Sequence, residues 1–231
     1  GYNDYIFIVT VFSNSMIKLW RFEKEPLTVG LNLIHEWNYS TCCILHCQLF
    51  QMSAAHGNEK RQFLLIATTD GNITVYDIST PTSPVALCLS KLHQSGIKAI
   101  CLIHKDGAVY LLTGGDDNAL VVSRITILED DNNLSQLILQ TISREPNAAS
   151  ATITSISHVS DDDLVVVVVS VDQMIRLWSF TNDELHCLAA RYTTVADTGC
   201  CDVTTLGDDK HMIVVGGAGL STWEITMPER N

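Results

Sequence analysis

The sequence predicts an all-β chain of repeated small antiparallel sheets, on three observations. First, one phrase recurs: a small or acidic turn, then an alternating apolar strand ending in an aromatic residue. It stands at Asn14-Ser15-Met16-Ile17-Lys18-Leu19-Trp20, at Asp70-Gly71-Asn72-Ile73-Thr74-Val75-Tyr76 and at Asp172-Gln173-Met174-Ile175-Arg176-Leu177-Trp178, with weaker copies over 117–123 and 218–223. Second, the phrases end at Trp20, Tyr76, Ser123, Trp178 and Trp223, at intervals of 56, 47, 55 and 45 residues. Four strands and their turns need roughly 40 to 45 residues, so the longer intervals carry insertions. Third, apolar and polar residues alternate between clusters of Gly, Asp, Asn and Ser, and no segment has a helical period.

The stretch from Val85 to Arg124 shows the unit. An outer strand, Val85 to Leu89, is followed by a turn at Leu92-His93-Gln94-Ser95-Gly96 and an inner strand, Ile97 to Ile103. After the turn Lys105-Asp106-Gly107 come a strand Ala108 to Thr113, a tight turn Gly114 to Asn118 and a strand Leu120 to Ile125. The same grammar predicts strands over 6–11, 17–22, 31–37, 43–49, 63–68, 73–78, 137–142, 153–159, 164–170, 175–180 and 185–190, and three last ones over 201–206, 212–215 and 221–225.

These motifs resemble those of the WD-repeat β-propellers. The Leu-Trp pair ending at Trp178, Asp172 six residues before it, and the turn containing His93 carry the likeness. In that family a His, a strand hydroxyl, the turn Asp and the Trp hydrogen-bond across one blade. The resemblance implies that Ser170, Asp172 and Trp178 supply three of these groups in one blade, and His93, Thr113 and Asp117 in another, where Ser123 stands in place of Trp. It implies blades over about 1–37, 38–90, 91–142, 143–190 and 191–231. The chain opens in a second strand and stops after a third, and Gly1 replaces an initiator Met. The expectation is the C-terminal part of a longer, seven-bladed propeller with further propellers upstream.

Composition narrows the function. With 46% apolar residues in 231, the chain is not generally disordered. The apolar run Val165 to Val169 is far short of the roughly 20 residues of a membrane span, and no signal-peptide pattern is present. Eight Cys include the neighbours Cys42-Cys43 and Cys200-Cys201, which on a strand point to opposite faces. That pattern predicts buried, reduced thiols and a cytoplasmic protein; glycosylation-type triplets at Asn38, Asn72 and Asn133 carry little weight against it. Acidic clusters at Glu129-Asp130-Asp131, Asp161-Asp162-Asp163 and Asp208-Asp209 contribute to a net charge of −12 and read as solvated turns. Direct nucleic-acid binding needs a positive footprint, which is absent.

No constellation of catalytic, cofactor-binding or metal-ligating residues is predicted. Cys42, Cys43, His46 and Cys47 lack a second paired set at finger-like spacing. Gly114-Gly115 and Gly216-Gly217-Ala218-Gly219 lie between strands and do not open a helix, so they are turns and not phosphate loops. No Ser, His and Asp are ordered as nucleophile, base and orienter. Surface contact is the remaining role. His93, Lys98 at the mouth of the inner strand, and Arg191, Tyr192 and Asp197 in a long link over 191–199 are the candidate protein contacts, His93 being more often the structural residue of such a turn than a contact. An acidic insert spans 128–134.

Three phrases narrow the resemblance. His93-Gln94-Ser95-Gly96-Ile97, Val195-Ala196-Asp197 ahead of a Cys-containing strand, and Gly216-Gly217-Ala218-Gly219-Leu220 before Trp223 are similar to the C-terminal end of one family. It comprises the WD-repeat accessory subunits of the eukaryotic FtsJ-type tRNA ribose 2′-O-methyltransferases, which act at the anticodon wobble nucleotide. The resemblance implies a non-catalytic subunit: a partner methyltransferase holds S-adenosylmethionine, and tRNA is met through the complex and not through this segment. A general WD-repeat adaptor, such as a ubiquitin-ligase substrate receptor or a trafficking scaffold, is the alternative.

Overall fold

The computed structural model describes residues 5–23, 30–40, 42–53, 60–129, 135–160, 164–207 and 209–227, and every regular element among them is a strand. The first sheet joins β1 (Tyr5–Val11), β2 (Met16–Glu23) and β3 (Leu31–Asn38). The second joins β4 (Ile44–Ser53), β5 (Lys60–Thr68), β6 (Asn72–Asp77) and β7 (Val85–Lys91). β8 (Ile97–Lys105), β9 (Ala108–Gly115), β10 (Leu120–Glu129) and β11 (Ser135–Glu145) make the third, and β12 (Ile153–Ser160), β13 (Val165–Ser170), β14 (Met174–Thr181) and β15 (Glu184–Tyr192) the fourth. The fifth pairs β16 (Ala196–Thr205) with β17 (Lys210–Thr226). Each is an antiparallel meander in chain order. No helix among the described residues is long and apolar enough to cross a membrane.

In the second, third and fourth sheets the middle strands β5, β9 and β13 are buried on both faces because a sheet stacks on each side, whereas β2 of the first sheet buries alternate residues only. Ile17 of the first sheet packs with Leu64 and Ile66 of the second. Phe63, Leu65 and Val75 meet Ile100, Leu111 and Ile125 of the third. Leu112 and Val122 meet Val166, Val168 and Trp178 of the fourth, and Val167, Val169 and Ile175 meet Ile213 and Val215 of the fifth. Thus five sheets enclose four cores. The inner strands β4, β8, β12 and β16 lie side by side in succession, which fans the sheets about an axis.

Two irregularities repeat and show that the sheets share one plan. The pairing with the outer strand slips at Leu19/Trp20, Val75/Tyr76, Val122/Ser123 and Leu177/Trp178, so the first four of the five phrases end in a β-bulge at the last residue. The inner strands slip near their starts, at Ile44/His46, Ile97/Ala99, Ile153/Ser155 and Ala196/Cys200. The turn before each phrase also repeats. Ser15, Gly71, Asn118 and Gln173 all have φ between 62° and 77°. Their carbonyls accept N–H bonds from link residues after the outer strand: from Tyr39, from Leu92 and His93, from Ala149 and from Thr193. At Gly71 a Cβ would come within 2.3 Å of the His93 carbonyl oxygen, so glycine is required there.

β17 joins in one run the two strands expected over 212–215 and 221–225. Its 17 residues, fully extended, would span about 55 Å. Yet Met227 N donates to Asp209 O at 2.9 Å, and Lys210 Nζ lies 3.5 Å from Glu224 Oε1. The run therefore doubles back on itself, and residues 221–226 form a third antiparallel segment. A correction concerns 191–199. The expected long link is three residues, because β15 continues through Tyr192 and β16 begins at Ala196. Asp197, at φ 50°, sits in the bulge that lets β16 start so early. Residues 130–134 of the acidic insert, the Asn133 triplet, Asp161-Asp162-Asp163 and Asp208 lie outside the described residues.

Candidate functional site

The candidate residues other than Trp178, which pairs with Val166 toward the other end of its sheet, fall where the turns before the phrases meet the links into the inner strands. His93 does not reach the surface. It is 2% exposed, with Nδ1 2.8 Å from Asp117 Oδ1 and Nε2 2.8 Å from Thr113 Oγ1. Burial lowers its pKa, more than the bond to Asp117 raises it, so the ring is neutral at neutral pH. A neutral ring here donates from Nδ1 to the carboxylate and accepts from the Thr113 hydroxyl. The structure therefore assigns His93 to the framework and removes it from the contact candidates.

Asp117 is the hub of that turn. It also accepts from Gln94 N at 3.0 Å and from Arg144 Nη2 at 2.9 Å, while Arg144 Nη1 donates to Leu92 O at 2.6 Å. Burial alone would raise its carboxyl, but His93 first, then the backbone N–H groups of Gln94 and Ala119, hold it below the usual range. Arg144 went unnoticed in the sequence because it ends an outer strand, outside the recurrent phrase.

The corresponding turn of the fourth sheet is built differently. Ser170 Oγ donates to Asp172 Oδ1, and Ser150 N and Met174 N donate to the same carboxylate at 2.9 and 3.0 Å. Arg176 grips it with Nη1 at 3.1 Å and Nη2 at 2.7 Å. Burial pushes the Asp172 carboxyl up, but Arg176, Ser170 and the two backbone donors outweigh it and bring it down to about 2. Trp178 does not join. Its Nε1 is buried without a hydrogen-bond partner among the described residues, so the expected Ser170-Asp172-Trp178 network stops at Asp172. Arg176 was the missed member, legible from its place four residues after Asp172 on the same strand face.

Lys98 and Tyr192 are exposed but anchored. Lys98, inside the bulge of β8, lies 3.1 Å from Asp116 Oδ1, which also accepts from Thr152 Oγ1 at 3.1 Å and so bridges the third and fourth sheets. Tyr192 is 59% exposed and donates its hydroxyl to Gln173 Oε1 at 3.0 Å, while Gln173 Nε2 donates to Val195 O at 3.2 Å. Arg191 is exposed beside it and donates from Nη1 to Ala190 O at 2.9 Å. This end thus presents Lys98, Arg191, Tyr192 and Asp197 as exposed side chains, with Lys98 paired to Asp116 and Tyr192 hydrogen-bonded to Gln173.

Cysteine and histidine chemistry lies elsewhere. All eight cysteines are unbridged, and burial pushes the Cys101 thiol up to about 12. His46 and Cys47 on β4 have, respectively, a lowered and a raised pKa, both from burial. Among the described residues no group of three or more His, Cys, Asp or Glu could hold a metal ion.

A family model described as WD domain, G-beta repeat matches residues 140–179. That span takes in the end of β11, then β12, β13 and nearly all of β14, so the matched unit straddles the third and fourth sheets. No curated protein matches the chain. Repeats of this kind serve as protein-interaction scaffolds and are typically non-catalytic. The chain carries a WD repeat over 140–179, and its five stacked antiparallel sheets agree with the WD-repeat β-propeller fold.

Proposed function

We propose that this protein is a non-catalytic scaffold that holds partner proteins on the turn-and-link end of its sheets. The observation that carries this is the grouping at that end of exposed Lys98, Arg191 and Tyr192, each held by a contact to Asp116, the Ala190 carbonyl or Gln173. Such a surface loses little conformational entropy on association, and exposed Arg and Tyr are residue types that anchor interfaces.

The more specific reading is an accessory subunit in tRNA modification, helping a 2′-O-ribose methyltransferase act on the anticodon wobble nucleotide in the cytoplasm. The three phrases that resemble this family support it, and all lie at the same end of the molecule: the link into β8, the link into β16 and the doubling-back of β17. The methyltransferase would be held by protein contacts, with tRNA met through the complex, since a chain of net charge −12 is a poor phosphate binder.

Affinity purification of the tagged protein from cells tests both levels. Co-recovery of a ribose methyltransferase and tRNA is expected. Recovery of ubiquitin-ligase or coat subunits in their place would remove the tRNA reading and leave the scaffold. Methyl transfer to tRNA by the purified protein alone, with S-adenosylmethionine, would overturn the non-catalytic assignment.

A further inference from the structure

We propose that Ser83, in the loop over 78–84 that joins β6 to β7, is a phosphorylation site for a proline-directed Ser/Thr kinase. The proposal is independent of which partner the scaffold holds.

The loop belongs to a complete four-stranded sheet and leaves β6 at the end remote from the turn before the phrase. It therefore lies away from Lys98, Arg191 and Tyr192. Its sequence, Ser79-Thr80-Pro81-Thr82-Ser83-Pro84, holds both hydroxyl residues of the chain that precede a proline; Pro26, Pro146 and Pro228 follow Glu25, Glu145 and Met227. Thr80, Thr82 and Ser83 are exposed, and the Ser83 hydroxyl has no hydrogen-bond partner among the described residues. The Ser79 hydroxyl, by contrast, accepts from Gln62 N at 3.0 Å.

A kinase reads its substrate as an extended segment, and a proline holds the residue before it in extended backbone. That favours Thr80 and Ser83 alike, but what must come loose around them differs. Ahead of Thr80, Ile78 N donates to Gln62 O at 2.9 Å, Gln62 N to Ser79 Oγ, and Ser79 N to Asp77 Oδ1 at 2.8 Å. These bonds tie the approach to Thr80 down on β5. Ser83 is held by one bond, from its N–H to Thr80 O at 3.0 Å, which closes a β-turn with Pro81 at the second position. Releasing that bond lets residues 81–84 extend. Pro84 has no N–H, so a kinase pocket that offers no acceptor at this place takes it without leaving a donor unpaired.

In the transfer, Ser83 Oγ attacks the γ-phosphorus of ATP. The new O–P bond forms as the bond from that phosphorus to the bridging oxygen breaks, ADP leaves, and the hydroxyl proton passes to the base of the kinase. The phosphoserine carries a charge of about −1.5 to −2 at neutral pH, in a stretch from Ile78 to Ser90 that has no charged residue of its own. One rim of the sheets thus changes charge while the turn-and-link end stays as it is.

The test incubates the full chain with radiolabelled ATP and a purified cyclin-dependent kinase, and maps the label by mass spectrometry. Label on Ser83 is expected, lost in Ser83→Ala and kept in Thr80→Ala. Pro84→Ala keeps the hydroxyl but removes the ring and should lose most of the label. Thermal melts establish that the variants fold; if Pro84→Ala does not, Ser83→Ala and Thr80→Ala decide alone. Label at Thr80, undiminished label in Ser83→Ala, equal labelling of folded Pro84→Ala, or no label on the folded chain would overturn the proposal. None of these outcomes bears on the co-purification result.

Discussion

Trp20 donates its indole N–H to the hydroxyl of Thr10 at 2.8 Å, whereas Trp178, at the same place in the fourth sheet, faces Val168 and has no acceptor. The equivalence follows from the ladders: Thr10 pairs with Lys18 and Val168 with Arg176, each two residues before its Trp. In the third sheet the corresponding hydroxyl, Thr113, serves His93, because Ser123 leaves it no indole. One hydrogen-bond plan is thus realised in halves by different sheets.

Val168→Thr should therefore be tolerated unusually well. Burying a hydroxyl without a partner costs about 1–3 kcal/mol, but here it meets an orphaned indole N–H, and a bond made contributes about 0.5–1.5 kcal/mol. Val166→Thr, in the same core and also fully buried, lacks that compensation. Urea denaturation should place Val168→Thr within about 1 kcal/mol of the parent and Val166→Thr lower by about 1–3 kcal/mol. Equal losses would show that the hydroxyl does not reach Trp178.

The recurrent phrase made the fold legible because its period is enforced by packing: in the second and fourth sheets it runs into a strand paired on both sides, and Ile73, Val75, Ile175 and Trp178 are buried between sheets. The site was legible only in part. Asp117 and Asp172 were visible as turn acids, but their cationic partners Arg144 and Arg176 were not, since a hydrogen-bond partner follows strand register and not a motif. The short link after Tyr192 was hidden for a similar reason. Thr193, Thr194 and Asp197 are turn-forming residue types, and only the bulge in β16 lets an extended strand start among them.

Trp178 and the Arg191-Tyr192 pair separate stability from binding. Trp178 is 6% exposed in the core between the third and fourth sheets, so Trp178→Ala should cost about 3–5 kcal/mol. Arg191→Ala with Tyr192→Ala removes exposed side chains and should change stability by about 0.5 kcal/mol or less, while weakening partner recovery. Comparable melting-point losses for the two proteins would place Arg191 and Tyr192 in the framework.

Two glycines should respond in opposite degree to alanine. At Gly115 a Cβ would lie 1.9 Å from the Gly96 carbonyl oxygen, a backbone atom that cannot step aside. Gly107, at φ 75°, has nothing within 4 Å. Gly107→Ala should cost only the strain of a left-handed residue, about 1–2 kcal/mol, whereas Gly115→Ala must push the link away from β9 and should cost more, about 3 kcal/mol or above. Chemical denaturation orders the pair. A milder effect at Gly115 would mean that the link into β8 yields freely.

Acid should destabilise the protein in two stages. His93 is held neutral, with its folded pKa below the unfolded value near 6.5. As pH falls below about 6.5 the unfolded chain takes up a proton that the folded ring resists, so stability declines there. Asp172 has its folded pKa lowered from 3.8 to about 2. Its stabilisation is complete above about pH 4 and is lost as pH falls toward 2, at most about 2 kcal/mol. Asp172→Asn keeps the shape but gives up the charged bonds to Arg176, so it should be less stable at pH 7 and should lose the lower stage of the decline. Thermal melts of the two proteins from pH 8 to pH 2 would reveal this as curves that converge below pH 4. Parallel curves across that range would mean that Asp172 and Arg176 contribute no charge-dependent stability.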